Sequence, residues 1–209
     1  MRRHDPTPSP APALRPGARG GSASPAFRGL WLPLLSLLAF LPFSGPSATP
    51  HPTEYQLKAT FLYNFIRFAD WPESAFAAPS DPIVVGVLGE DPFGPILDRL
   101  LGDEQVRRRP LLIRRFASVA QLGHCHLLFV ARSEKDRLPD IWTALGKKAV
   151  LTMSDVPHFC EQGGMIGLEL TAAGTIQPEV APAPVRAAGL AISSKVLNLP
   201  MMRIVNARQ

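Results

Sequence analysis

The chain has 209 residues, room for one ordinary domain with extensions, and no segment recurs at a fixed period. Its formal charge of +5 is concentrated: Met1 to Ala48 holds five arginines (Arg2, Arg3, Arg15, Arg19, Arg28) against Asp5, which leaves about +1 for everything that follows. A body so near neutrality has no broad field for nucleic acid, so the basic balance belongs to the leader and nucleic acid is excluded as a partner.

That leader reads in three parts: a basic stretch rich in Pro, Gly, Ala and Ser up to Arg28, an apolar run from Leu30 to Phe43, and the small residues Ser44-Gly45-Pro46-Ser47-Ala48. Residues 1–48 therefore have the order of a secretory signal peptide with a long basic first region. The apolar run is about 14 residues and contains Pro33 and Pro42, short of the roughly 20 that span a bilayer. Export with cleavage after Ala48 or Ser47 is expected, with an uncleaved anchor as the lesser alternative. Arg2-Arg3 lacks the apolar pattern that follows a twin-arginine pair, which favours ordinary export to the periplasm.

Thr53-Glu54-Tyr55-Gln56 forms a capping box, with a hydroxyl at the cap and Gln three residues on, so a helix is expected from there. Tyr55, Ala59, Phe61, Leu62, Phe65, Ile66 and Phe68 supply its apolar face, and Trp71-Pro72 stops it. Ile83 to Leu88 is a continuous apolar run suited to a strand buried on both faces. Asp91-Pro92 is expected to cap a helix over Ile96 to Leu101. Then come a strand Pro110 to Phe116, a helical turn Ala117 to Leu122, a strand His126 to Ala131, a helix Glu134 to Leu145 and a strand Ala149 to Met153. Such alternation implies a mostly parallel central sheet covered on both sides. Met165 to Leu170 and Thr175 to Val180 are close enough for an antiparallel hairpin around Ala173-Gly174, followed by short helices Val185 to Ala188 and Ser193 to Leu199. The expectation is one α/β domain from Pro52 to Val205, a three-layer sandwich with a C-terminal antiparallel hairpin.

Candidate chemistry is sparse. Gly86, Gly89 and Gly94 follow a strand and open a helix, but their spacing is wrong for a dinucleotide turn, and Glu90 and Asp91 would repel phosphate there. His124-Cys125-His126 and His158-Phe159-Cys160 contain metal-ligand types, yet adjacent strand residues point to opposite faces, and about six residues at roughly 3.3 Å each separate the two clusters along parallel strands. The same separation opposes a Cys125–Cys160 disulfide, which needs Cα atoms within about 7 Å. Ser193-Ser194-Lys195 puts serine and lysine side by side rather than three or four apart on one helix face, so Ser193 reads as a cap. No catalytic motif, metal site or cofactor loop is present in the sequence.

Six separated blocks, Tyr55 to Pro72 (YQLKATFLYNFIRFADWP), Val87 to Gly94 (VLGEDPFG), Cys125 to Val130 (CHLLFV), Val150 to Asp155 (VLTMSD), Phe159 to Ile166 (FCEQGGMI) and Ala188 to Leu197 (AGLAISSKVL), together resemble the YfiR family in order and spacing. The resemblance implies a periplasmic α/β protein, a homodimer, that represses an inner-membrane diguanylate cyclase and so lowers cyclic di-GMP and biofilm output. It implies no cofactor and no catalysis. The hairpin departs from the pattern, reading Gly174-Thr-Ile-Gln-Pro-Glu-Val-Ala181 where members carry polar and basic residues, and Pro178 demotes its strand to an edge. Cysteine partners that some relatives have near Val85 and Gly167 are missing, which implies that Cys125 and Cys160 are unpaired. Arg67 and Asp70, at i and i+3 beside Trp71, with Glu169 and Gln177, are the expected partner- or ligand-binding residues; an exposed Arg67–Asp70 pair is their plainer reading. The partner is expected to be a membrane cyclase or sensor kinase. The alternative function is a periplasmic receptor for a small solute that feeds a sensor kinase.

Overall fold

The computed structural model describes residues 53–206; the leader and Pro52 lie outside the described residues. Helix α1 (Glu54–Phe68) opens on the capping box as expected, with Thr53 accepting from the Gln56 amide and the Gln56 side chain returning the bond. It ends at Phe68, three residues before Trp71-Pro72, because β1 (Ala69–Asp70) leaves the helix to pair with a later segment. Strand β2 (Ile83–Leu88) is buried at all six positions. The following helix α2 (Pro95–Leu101) covers the expected span but not with the expected cap. Gly94 is the N-cap and Pro95 takes the first-turn position, while Asp91 Oδ1 accepts from the Phe93 amide in a tight turn upstream.

Next, β3 (Gln105–Val106) and β4 (Arg109–Phe116) form a hairpin that the sequence does not announce, followed by β5 (Leu127–Val130), a 3₁₀ segment Arg132–Arg137 that continues into α3 (Leu138–Leu145), and β6 (Leu151–Ser154). Strands β7 (Ile166–Leu170) and β8 (Ile176–Val180) are the expected antiparallel hairpin. Helix α4 (Pro182–Ala187), β9 (Ala191–Ile192), α5 (Ser194–Leu197) and β10 (Arg203–Ile204) complete the described chain. Ser193 caps α5, its hydroxyl accepting from the Lys195 amide.

The main sheet runs β10-β8-β7-β6-β5-β2-β4-β3, and β1 with β9 makes a separate ribbon. Strands β4, β2, β5, β6 and β7 are parallel, so the centre is a doubly wound sheet whose order reverses beside β2. Successive residues of its strands serve two cores. Ile83, Val85 and Val87 of β2 pack with Leu62 and Phe65 of α1 and Leu97 of α2, whereas Val84 and Leu88 pack with Leu138 and Ile141 of α3 on the opposite face. That is the three-layer α/β sandwich.

Strand β8 is not the edge that Pro178 predicts, since β10 runs parallel beside it; β10, however, reaches only Glu179 and Val180. Ladder bonds from Thr171 to Thr175 and from Ala181 to Met165 put Pro178 in a non-hydrogen-bonded position opposite Leu168. Its missing N–H therefore faces the outer side, just short of the stretch that β10 covers.

Candidate binding surfaces

At the C-terminal end of the parallel strands, where doubly wound folds usually keep their sites, this chain has a buried charge cluster. Asp155, directly after β6, is fully buried, and its Oδ2 accepts from Lys58 Nζ at 2.6 Å and from Tyr55 Oη at 3.0 Å, with Arg132 Nε 3.3 Å away. Lys58 is also fully buried and pairs with Glu54 one helical turn back. Burial, then the neighbouring Asp155 carboxylate, pushes the Tyr55 phenol up to about 12. The reversal crevice beside β2 is filled as well. Ser133 Oγ accepts from the Glu90 amide at 3.0 Å, and Gly89 at φ +90° has room only for hydrogen, because a Cβ there would lie 2.4 Å from Ser133 Oγ. An amide that a nucleotide phosphate would need is thus already bonded.

The expected binding residues fall into two places. Arg67 is exposed at the end of α1, its guanidinium over the rings of Tyr63 and Phe68. Asp70 does not pair with Arg67; its partner is Arg107 at the tip of the β3–β4 hairpin. Glu169 and Gln177 face each other across the β7–β8 ladder, where Glu169 Oε1 accepts from the His158 amide and Gln177 Nε2 donates to the Met201 carbonyl. The N-terminal turn of α1 meets the C-terminal end of β6 through Tyr55 and Asp155, and Trp71 after α1 donates to the His126 carbonyl at the start of β5. Helix α1 therefore runs against the strands. Arg67 and Asp70 sit at the N-terminal end of the parallel sheet and Glu169 at its C-terminal end, so the four do not share one site.

Around the first pair, Ile66, Trp71, Phe76, Val106, Arg107 and Arg109 border a cavity of about 170 Å³. Arg109 lies 3.7 Å above the Phe76 ring and holds the Ala78 and Asp81 carbonyls, and Phe76 stacks on His126 with centroids 4.4 Å apart. His126 is committed: Nδ1 accepts from the Val84 amide at 3.0 Å and Nε2 lies 3.1 Å from the Ala75 carbonyl, which fixes a neutral tautomer. Burial holds its pKa below the usual histidine value. A cleft of about 620 Å³ at the same end is bordered by His124, Lys147, Lys148 and the small residues Ala187, Ala188 and Gly189, with no carboxylate among its lining.

Cys125 and Cys160 belong to different clusters, Cys125 under α3 and Cys160 beside Ala181 and Val205, and both are buried free thiols. Burial pushes each thiol up to about 12. Among the described residues no group of three or more His, Cys, Asp or Glu is arranged to hold a metal ion. Glu179 in β8 is buried against Arg203 of β10 at 2.8 Å, and burial raises its carboxyl above the usual range despite that cation.

Sequence reasoning missed Lys58 and Asp155, although a trace of them was there: Lys58 stands three residues after Tyr55 and four before Leu62, on the apolar stripe of α1. The hairpin tip Arg107-Arg108 carried no turn residue to signal it.

The fold and its surfaces define the class: a doubly wound α/β domain with a buried charge cluster at the end of its parallel strands and open clefts and edges on its surface. A family model described as YfiR/HmsC-like matches residues 55–200, and the chain belongs to that family. No curated protein matches it. The family theme is regulatory, in periplasmic cyclic di-GMP signalling. Among the described residues no helix is long and apolar enough to cross a membrane.

Proposed function

We propose that this chain is an exported, non-catalytic regulator that binds the periplasmic part of an inner-membrane diguanylate cyclase and represses it. Family membership gives the theme. The observation that favours docking over chemistry is the state of Asp155: a carboxylate at a strand end, where an enzyme would expose it, is fully buried and bonded to Lys58, Tyr55 and Arg132. In this reading Arg67 and Asp70 form one contact patch and Glu169 and Gln177 a second, and the protein acts as a homodimer. Deleting the gene should raise cyclic di-GMP and biofilm mass, and an Arg67→Ala/Glu169→Ala version should fail to restore repression while still being exported. Unchanged cyclic di-GMP on deletion would refute the reading.

The solute-receptor alternative draws its support from the carboxylate-free 620 Å³ cleft, a volume within the range of small-molecule sites. It expects a periplasmic solute to bind with measurable heat and deletion to leave cyclic di-GMP untouched.

A further inference from the structure

The β3–β4 hairpin turns on two residues, Arg107 and Arg108, between the paired Val106 and Arg109. Both have positive φ, 52° and 66°. A two-residue turn with positive φ at both positions is the type I′ geometry, which strongly prefers Asn-Gly because a Cβ is strained there. Two arginines are among the least suitable occupants, and strain retained at a surface turn needs a reason outside folding. Arg107 spends its charge on Asp70, and the Tyr63 hydroxyl donates to Glu104 at the base of β3, so the tip is held against α1. Arg108 is exposed and no ion pair with a described carboxylate engages it.

Beyond the tip, β3 covers β4 only at Arg109 and Pro110. The Phe116 carbonyl bonds to Gly89 on the β2 side, while the Leu111 amide bonds to Glu104 on the outer side. By alternation, the N–H and C=O of Ile113 and Arg115 point outward from a strand with no further neighbour in the sheet. One face of this edge carries Leu112, 41% exposed, with the exposed Arg114 two residues on and Arg108 behind. Protecting an edge from aggregation needs only a charge on the strand, which Arg114 supplies. It does not need arginines in a turn that disfavours them.

We propose that the outer edge of β4 is a docking strand for an extended, acidic segment of a protein partner, which adds to the sheet at Ile113 and Arg115, covers Leu112 and places carboxylates on Arg108 and Arg114. Charge complementarity selects the occupant: Arg108 and Arg114, the exposed charged side chains of the turn and of β4 that have no ion pair, are both cationic. The proposal goes beyond the function given above and stands without it, since it makes no reference to a cyclase.

The test titrates the purified protein with an end-blocked octapeptide of alternating Val and Glu, with its Val-Lys counterpart as control, following backbone amide resonances. Binding of the Val-Glu peptide with shifts centred on Ile113 and Arg115 is expected. In an Arg107→Asn/Arg108→Gly variant the affinity should drop about tenfold while the melting temperature rises by about 2–4 °C, because the turn is relieved of strain. Such opposite movement cannot come from a misfolded variant. Equal binding of the Val-Lys peptide, shifts away from β4, a lowered melting temperature in that variant, or binding of phosphatidylglycerol vesicles in place of the peptide would each overturn it.

Discussion

Lys58 and Asp155 show what a single buried pair commits a fold to. Both are fully buried, and Asp155 links α1 to the end of β6. Removing one partner leaves an uncompensated charge in the interior, so Asp155→Ala should cost about 3–5 kcal/mol in urea unfolding, whereas a Lys58→Met/Asp155→Leu double replacement should cost far less. A double-mutant cycle on the two sites measures the coupling. His126 acts in the opposite electrostatic sense, as a neutral ring whose two nitrogens both hold backbone. Its folded pKa is depressed by burial, so the unfolded chain binds the proton more readily and stability must fall as pH drops through and below about 6.5. His126→Asn should lower stability at pH 7 and flatten that acid slope in unfolding titrations. Glu179 works against it at lower pH: its raised carboxyl takes up a proton more readily in the folded state, which favours folding as the medium turns acidic.

At the scale of elements, the first helix start and the central strands follow from the sequence because local signals and burial agree there, whereas α2 starts at Gly94 and not at Asp91. The capping box at Thr53 is formed, and Thr53→Ala should cost about 1 kcal/mol, read by chemical denaturation. Strand β2 was legible because a run buried on both faces must be apolar throughout. The four two-residue strands were not legible, since a segment that short has no periodicity and is defined only by its neighbour across the ladder. Arg107-Arg108 hid a hairpin for a different reason, because the turn uses residues that its own geometry disfavours. Close packing between elements was equally invisible. A Cβ on Gly86 would lie 2.9 Å from the Phe116 ring and 3.0 Å from Leu128, so Gly86→Val should destabilise the sheet by about 1–3 kcal/mol, measurable in the same unfolding assay.

For the whole molecule, the contrast between a basic N-terminal stretch and a nearly neutral remainder makes export a testable expectation. N-terminal sequencing of protein recovered from the periplasm should begin at Ala48 or Thr49, and retention of Met1 would contradict cleavage. The candidate contact residues were legible only as types. Arg67 and Asp70 are three residues apart in the chain and Glu169 and Gln177 pair across a turn, but the distance between the two pairs depends on α1 running against the strands, which no local pattern encodes.

Local composition and periodicity by themselves determined the α/β class, the capped first helix and the central strands, because each depends on forces acting over a few neighbouring residues. Only the tertiary structure decided that Lys58 and Asp155 meet, that Asp70 takes Arg107 in preference to Arg67, that β10 covers part of β8, and that β4 keeps an open edge. Those outcomes depend on which distant segments the hydrophobic layers bring together, and pairing across that distance leaves little trace in either partner's own stretch of chain.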